Sequence, residues 1–489
     1  MINFKITLRS AFFVIAPFIL TACLGNTAEE KKEDVNPNPG ELTDNETYWE
    51  EFKLIEPKRN GLMNPYFDAV IDSDKNIHII YYSHSEQAKE LSDSLYDLNY
   101  AIWNSTTQEF APHPTAPIIT TQIHSDPIAM SIDGQNQLYV TYRGGEKRFC
   151  QGGDIPGDAM FSVFDGTQWT ENTGAIGVVE RAGGADGHAG SNTDLAVDDE
   201  GNVHIIYQFF YEGCDATNFS YPDLFYAGKM PSQFESDARS DAEIEEQVSG
   251  NDADNGGTFQ NKTGDISDII LDLNGNPLVF YYSEDSTRTG FGLFMGYRDE
   301  ENNWVTEPIR EDCEIMDISA GLSSNGDIHV AYVIKDCNDE NDGSEFSLRH
   351  ARKLAAVEVI PVEGDPIEGE LEEEIAEPQW ENGYIVDNVK VGGVGRHLSM
   401  VMNKNGFPQI AYYELQGYND NELKNLTSIE LNVQGTYTQK DIARWNDIGR
   451  YNKMLVDQDG EIYVLSYSGE GHSIHLFVEG INGRLTLEN

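Results

Sequence analysis

Apolar and polar positions alternate in short runs along most of this chain, and the runs come in pairs. Asp194 to Tyr207 shows the unit. Leu195 and Val197 alternate with smaller or polar residues, and Val203 to Tyr207 is β-branched and aromatic. Asp199-Glu200-Gly201-Asn202 between them supplies turn chemistry. The pattern predicts two strands joined by a tight turn, and the unit recurs in one register. Asp72, Asp133, Asp198, Asp272, Ser323, Asn403 and Asp457 are followed six residues later by His78, Tyr139, His204, Leu278, His329, Gln409 and Tyr463. Three residues further on stand Tyr81, Tyr142, Tyr207, Tyr281, Tyr332 and Tyr412, and Gly201, Gly275, Gly326, Gly406 and Gly460 fill five of the turns. Seven matches in register define a repeat architecture.

A third strand-like run follows each hairpin: Leu98 to Trp103, Met160 to Phe164, Leu224 to Ala227, Leu293 to Tyr297, Leu348 to Ala351, Leu423 to Leu431 and Ile474 to Val478. A fourth often follows a turn, as at Asp165 to Trp169 and Asn302 to Val305. The expected fold is therefore all-β, a seven-bladed β-propeller of four-stranded antiparallel blades over residues 48–489. Tyr48 to Ile55 is expected to supply an outer strand closing the ring against the last blade. One helical period is expected, Phe234 to Val248, in an acidic insertion; Val357 to Glu377 is a second acidic insertion.

The N-terminus reads as targeting signal. Lys5 and Arg9 precede an apolar run from Ala11 to Leu20, too short and wrongly flanked for a retained membrane helix. Leu20-Thr21-Ala22-Cys23 resembles the lipobox of bacterial lipoproteins. The resemblance implies a signal peptide over 1–22, lipid on Cys23, and export to the outer membrane or cell surface. Residues 23–47 are polar and carry Pro37, Pro39 and Gly40, as a flexible tether does. Losing Lys5 and Arg9 takes the formal charge from -52 to -54. A surface this acidic disfavours nucleic acid and anionic membrane faces, so the lipid is the expected membrane contact and a monomer the expected state. Four cysteines remain. Cys150 and Cys214 hold matching places in consecutive repeats, and Cys313 and Cys337 flank one hairpin. An exported chain permits Cys150–Cys214 and Cys313–Cys337 disulfides.

The hairpins fix the geography. Loops entering first strands and leaving second strands share one face, and the glycine turns share the other. Eight of the fifteen arginines fall in segments assigned to the first of these faces: Arg59, Arg181, Arg310, Arg396 and Arg450 before first strands, Arg143, Arg148 and Arg288 after second strands. His124, His188 and His397 join them. Such a cationic patch on an acidic chain suits a carboxylate or sulfate ligand. His78, His204 and His329 share their slot with Tyr, Leu and Gln and read as packing residues. His188 lies among glycines in Gly183 to Gly190, where packing does not require it. Tyr282 follows Tyr281 at a strand exit, as Tyr82 and Tyr413 follow theirs.

The acid-capped Gly-Asn turn and His-Ile-x-Tyr strand resemble the sialidase-like and BNR-like bacterial propellers, although the Ser-x-Asp-x-Gly-x-x-Trp boxes of the hydrolase branch are absent. The chain is more similar to the propeller polysaccharide lyases that cleave ulvan. That resemblance implies β-elimination on a uronic acid by a His before one inner strand and a Tyr at the exit of the next hairpin, with an Arg beyond. His188 and Tyr282 hold those places, with Arg288 or Arg298 as the Arg and Arg181, Arg310, Arg396 and Arg450 as further substrate contacts. Arg298 aligns with Lys229 and Asp165, at the far end of third strands. No cofactor is expected, and a structural divalent metal is a candidate, calcium at the acids between Asp336 and Glu345 or zinc at the thiolates. The competing expectation is a non-catalytic propeller that binds a glycan or a protein.

Overall fold

The turn acids explain the repeat. In a computed structural model, the described residues are 47–55, 66–84, 96–114, 116–122, 127–144, 149–150, 153–154, 158–170, 175–176, 187–211, 223–229, 244–248, 263–285, 290–335, 346–355, 379–387, 398–416, 423–432, 436–444, 447–469 and 472–481. Asp198 Oδ1 accepts hydrogen bonds from the Glu200 and Asn202 amides at 3.0 and 2.7 Å, and Oδ2 accepts from Asn202 Nδ2 at 2.7 Å. Asp72, Asp133, Asp272, Asn403 and Asp457 cap their turns through the same pair of amides. The residue three past the capping position has positive φ in every copy, from 62° at Asn136 to 87° at Gly326. Glycine reaches that conformation without steric cost, hence its five occurrences. The two exceptions use their side chains to tie neighbouring turns. Asn136 Nδ2 donates to Ser73 Oγ at 2.7 Å, and Lys75 Nζ lies 2.7 Å from Asp457 Oδ2.

Around these turns the chain forms seven antiparallel sheets. Blade 1 holds β2 (Phe67–Ile71), β3 (Ile77–His84), β4 (Tyr96–Asn104) and β5 (Glu109–Pro112), with β6 (Ile119–Gln122) also on β4. Blade 2 holds β7 (Ala129–Ile132), β8 (Leu138–Gly144), β11 (Asp158–Phe164) and β12 (Ala175–Ile176); a small ribbon, β9 (Phe149–Cys150) with β10 (Gly153–Asp154), stands apart. Blade 3 runs β13 (Gly187–Val197), β14 (Val203–Tyr211), β15 (Asp223–Lys229), β16 (Ile244–Gln247). Blade 4 runs β17 (Thr263–Leu271), β18 (Pro277–Asp285), β19 (Gly290–Arg298), β20 (Trp304–Glu311). Blade 5 runs β21 (Glu314–Leu322), β22 (Ile328–Lys335), β23 (Phe346–Lys353), β24 (Trp380–Asp387). Blade 6 runs β25 (Ser399–Met402), β26 (Pro408–Gln416), β27 (Leu423–Leu431), β28 (Tyr437–Ala443). Blade 7 combines β29 (Ile448–Val456), β30 (Ile462–Ser468) and β31 (Ser473–Ile481) with β1 (Thr47–Ile55), which pairs with β31 and joins the first and last described strands in one sheet. The inner strands touch in a closed order, β2, β7, β13, β17, β21, β25, β29 and back to β2.

Two expectations change. Ile244–Gln247 is a strand on β15, so the helix expected over Phe234 to Val248 does not form at its described end. The edge of β15 needs a hydrogen-bonding partner, and that outweighs the weak helical period. Blade 2 takes its fourth strand from Ala175–Ile176, while Trp169 makes an isolated bridge to Phe164. The insertion from Val357 to Glu377 lies outside the described residues, as do residues 1–46.

Hydrophobic clusters fill the junctions between consecutive blades. At the closing junction Ile77 and Ile79 of blade 1 pack with Leu465, Ile474 and Leu476 of blade 7, all fully buried. Burying each contributes about 1.5–3 kcal/mol. A second regularity, unnoticed in the sequence, runs four positions before the turn acids. Asp68, Asp268, Ser319 and Ser399 there accept from the next blade's Met130, Ala320, Met400 and Met454 amides at 2.7, 2.7, 3.0 and 2.8 Å. In blade 7 the position is Lys453, whose Nζ reaches Asp68 Oδ1 at 2.8 Å across the seam.

Candidate functional site

The face opposite the glycine turns collects the starts of inner strands and the ends of their partners. His188 is the second residue of β13, with its backbone opposite Phe210 of β14. It therefore stands in a strand, where the glycine-rich run predicts a loop. The β-forming run Gln208 to Tyr211 extends β14 past Tyr207 and gives those glycines a pairing partner. Just beyond His188 the strand breaks register twice, between Ala189 and Ser191 and between Ser191 and Asp194. Asn192 in this stretch has φ 49° and donates from Nδ2 to Gln208 Oε1 at 2.8 Å. Bulges of this kind re-aim side chains and occur beside active sites. The inner strands β2, β7 and β25 pair without any shift.

Tyr282 lies on β18 of the adjoining blade, opposite Leu293. Its side chain is buried among Leu293, Ile309, Cys313 and Ile315, with Phe291 edge-on at 5.9 Å. Cys313 is buried and disulfide-bonded. Its expected partner Cys337 lies outside the described residues, as do Cys23, Cys214, Arg181, Arg288, Arg396 and the acids Asp336 to Glu345. Cys150 is placed in β9, opposite Gly153. Arg310 is the penultimate residue of the outer strand of blade 4 and donates from Nε to Cys313 Sγ at 3.4 Å. Among the described residues no group of three or more His, Cys, Asp or Glu is arranged to hold a metal ion, and none forms a helix long and apolar enough to cross a membrane.

Arg298 departs from its expected role in substrate binding. It sits at the turn end of β19, five residues from the partner of Tyr282, about 16 Å along a strand. Its guanidinium lies over the Trp304 ring at 4.2 Å and the Tyr226 ring at 5.2 Å, and Nη1 donates to the Asn302 carbonyl at 2.9 Å. The aromatic pair and the turn carbonyl hold it on the opposite face. The slot residues His78, Tyr139 and Tyr463 also prove to be more than packing. They hydrogen-bond back to the turn acids Asp72, Asp133 and Asp457 at 3.0, 3.1 and 3.3 Å.

Arg450 is the expected substrate contact whose surroundings are best described. It is opposite Tyr467 in blade 7, and Nη2 pairs with Asp447 Oδ2 at 2.7 Å. Burial alone would lower its affinity for the proton; the Asp447 charge and the Tyr413 phenol outweigh burial and raise it. The Tyr413 phenol donates to Asp447 Oδ1. The Tyr467 phenol hydrogen-bonds His472 Nδ1 at 2.7 Å, and burial pushes that phenol up to about 12 against the lowering effect of Arg450. Asp447, Tyr467 and His472 were not singled out in the sequence. One signal was available: Tyr467 stands ten residues past Asp457, the position that Tyr82, Tyr282 and Tyr413 hold in their repeats.

No protein-family model and no curated protein matches the chain. Among solved structures it is similar to a polysaccharide lyase, at 11% identity and TM-score 0.48 over 87% of this chain and 92% of that one. It is similar to a protein of unknown function from Dyadobacter fermentans DSM 18053, at 10% identity and TM-score 0.44 over 88% of this chain and 99% of that one. A Hadza microbial sialidase follows at 11% identity and TM-score 0.43, over 79% of this chain and 74% of that one. At identities this low the likeness concerns the general fold alone.

Proposed function

We propose that the chain is an exported polysaccharide lyase that cleaves a uronate-containing, ulvan-like glycan on the face opposite the glycine turns. The observation that carries this reading is the double register break in β13, which follows His188 within six residues, is matched among the inner strands by β29 and has no counterpart in β2, β7 or β25. On this reading His188 and Tyr282 form the proton-transfer pair, drawn from the first residues of one inner strand and the exit of the next hairpin. One takes the C5 proton. The electron pair left behind forms the C4–C5 double bond as the C4–O4 bond breaks, and the other group protonates O4. A guanidinium facing the carboxylate spreads the enolate charge. Arg288 is assigned that part, with Arg181, Arg310, Arg396 and Arg450 as further contacts. Cys23 carries the lipid, and Cys150–Cys214 and Cys313–Cys337 are the disulfides.

The test is release of an unsaturated uronate, followed by ultraviolet absorbance, from ulvan, pectin, alginate and glycosaminoglycans. Turnover on one of them that His188→Ala abolishes is the expected result. Absence of product from all four removes the lyase reading. The second reading, a non-catalytic propeller that binds glycan or protein, is favoured by the burial of Tyr282 in the core between blades 4 and 5. It predicts retention on a glycan column with no turnover.

A further inference from the structure

Blade 7 breaks register as blade 3 does. β29 shifts between Ile448 and Arg450 and again between Arg450 and Asn452, so a bulge flanks Arg450 on each side. Both extra residues have positive φ, 114° at Gly449 and 50° at Tyr451, and the strain falls on the tyrosine. Positive φ is a genuine outlier for a residue as bulky as Tyr. Asp447 and His472, on either side of the same hairpin, have φ 55° and 46°. Three such non-glycine conformations on one rim persist only where the surroundings over-determine them, and they cluster at ligand clamps.

We propose that Arg450, with Tyr467, His472 and Tyr413 around it, forms an oxyanion subsite that takes a carboxylate or sulfate ester of a glycan chain. The proposal rests on the reading above of this face as a glycan site, and adds a second contact point to it. Three features support it. The Arg450 side chain is 42% exposed while its counter-ion Asp447 is 5% exposed, so the acid is engaged inside and the arginine side chain stays open to solvent. Both Asp447 oxygens are occupied, Oδ1 by Tyr413 and Oδ2 by Arg450. Arg450 Nε is enclosed with no hydrogen-bond partner. An enclosed donor without an acceptor is uncommon in native proteins.

Gly469 shows how closely the fork is seated. A Cβ there would collide with Asp447 Oδ2 and lie 3.0 Å from Arg450 Nε. The Gly469 amide also donates to the Asp447 carbonyl at 3.0 Å, so the loop is pinned over the pair. The phenols beside the fork are neutral: Tyr413 and Tyr467 both bind their protons more tightly than usual, chiefly through burial. Tyr66 and Tyr451 add an edge-to-face aromatic pair at 5.0 Å between blades 1 and 7. A guanidinium edge ringed by phenols and an imidazole is suited to a planar or tetrahedral oxyanion.

Position decides what this adds. In the closed order of inner strands, blade 7 stands three places from blade 4 and three from blade 3 by the other way round. The subsite and the proposed His188–Tyr282 pair therefore lie on opposite sides of the propeller axis. One glycan touching both must cross the mouth of the channel, so the subsite selects a polymer over a short oligosaccharide.

Affinity electrophoresis of the full chain through gels holding polygalacturonate, a sulfated galactan without uronates, or neutral galactan tests this. The wild type should be retarded by at least one polyanion and not by neutral galactan; which polyanion separates carboxylate from sulfate recognition. Arg450→Lys keeps the charge and loses the fork, and should weaken retardation about tenfold, the size of one charge-assisted hydrogen bond. Gly469→Ala crowds the pair without altering any charge and should also weaken it. Asp447→Asn should strengthen binding, because a competing carboxylate is gone. A pair serving only stability would instead lower the unfolding midpoint and leave affinity unchanged. Wild-type mobility in every polyanion gel, or folded variants that all bind as the wild type does, overturns the subsite. Uronate release measured in parallel separates the two readings. Retardation sensitive to Arg450 without turnover removes the lyase and leaves the subsite. Turnover with KM unchanged by Arg450→Lys removes the subsite and leaves the lyase.

Discussion

The same hairpins end very differently on the two faces of the propeller. On the turn face six carboxylate or amide side chains cap six turns through the same two amides, and the seventh turn uses Ser323, whose Oγ donates to the Asp327 carbonyl at 3.1 Å. Every turn has its positive φ at the same place. On the loop face the repeat dissolves: β13 and β29 each break register twice, β17 and β21 once, and β2, β7 and β25 never. The contrast teaches where this architecture tolerates variation. A tight turn has few conformations and hence few acceptable residues, whereas a strand entry has only to deliver the chain to the inner layer.

The comparison can be broken from either side. The largest effect is expected on the loop face: His188→Ala should lower uronate release about 10²–10⁴-fold, the usual share of one proton-transfer group, with an unchanged unfolding midpoint. Tyr282→Phe should cost a similar factor if the phenol moves a proton, and little if the ring only packs between blades. On the turn face the pattern should invert. Asp198→Ala removes the acceptor for Glu200 N, Asn202 N and Asn202 Nδ2 and should cost about 2–3 kcal/mol in urea unfolding with kcat unchanged. Gly275→Ala meets no atom nearer than 3.6 Å, so it isolates the backbone strain of φ 81°. It should cost about 1–2 kcal/mol, again without touching turnover. Loss of activity in either turn variant at full folding would show that the faces are coupled.

The smallest effect concerns pH. His329 Nδ1 and His350 Nε2 lie 3.0 Å apart beside Arg352 and Asp327. Burial holds His329 at about 4 and His350 at about 3, with the Arg352 charge adding to both and His329 to His350. Both values lie below the ordinary 6.5 of the unfolded chain, so the unfolded state binds more protons in the acid range. Their contribution is complete above pH 6.5 and is lost progressively as pH falls toward about 4 and 3. His350→Gln should flatten the fall in the urea midpoint between pH 7 and pH 5. An equal slope in the variant would place the acid sensitivity elsewhere.

The sequence by itself determined the blade count, the inner hairpins and the closing outer strand, because each is written in a local rule. An acid, a residue able to adopt positive φ, and alternating apolar positions suffice to make a hairpin, and seven in register leave a propeller as the arrangement that buries every face. The inner-strand latches from Asp68, Asp268, Ser319 and Ser399 recur in four blades but stayed hidden, since their partners are backbone amides one blade away, 52 to 81 residues along the chain. Tertiary structure alone decided that Arg298 is stacked on Trp304 and Tyr226, that Ile244–Gln247 is strand, and that Arg450 is flanked by two bulges and seated against Gly469. Each of these depends on what a neighbouring strand or blade supplies: an aromatic wall, an unpaired edge, a buried counter-ion. A one-dimensional pattern records what a residue can do locally, and the partner that makes it do so is set only when the ring closes.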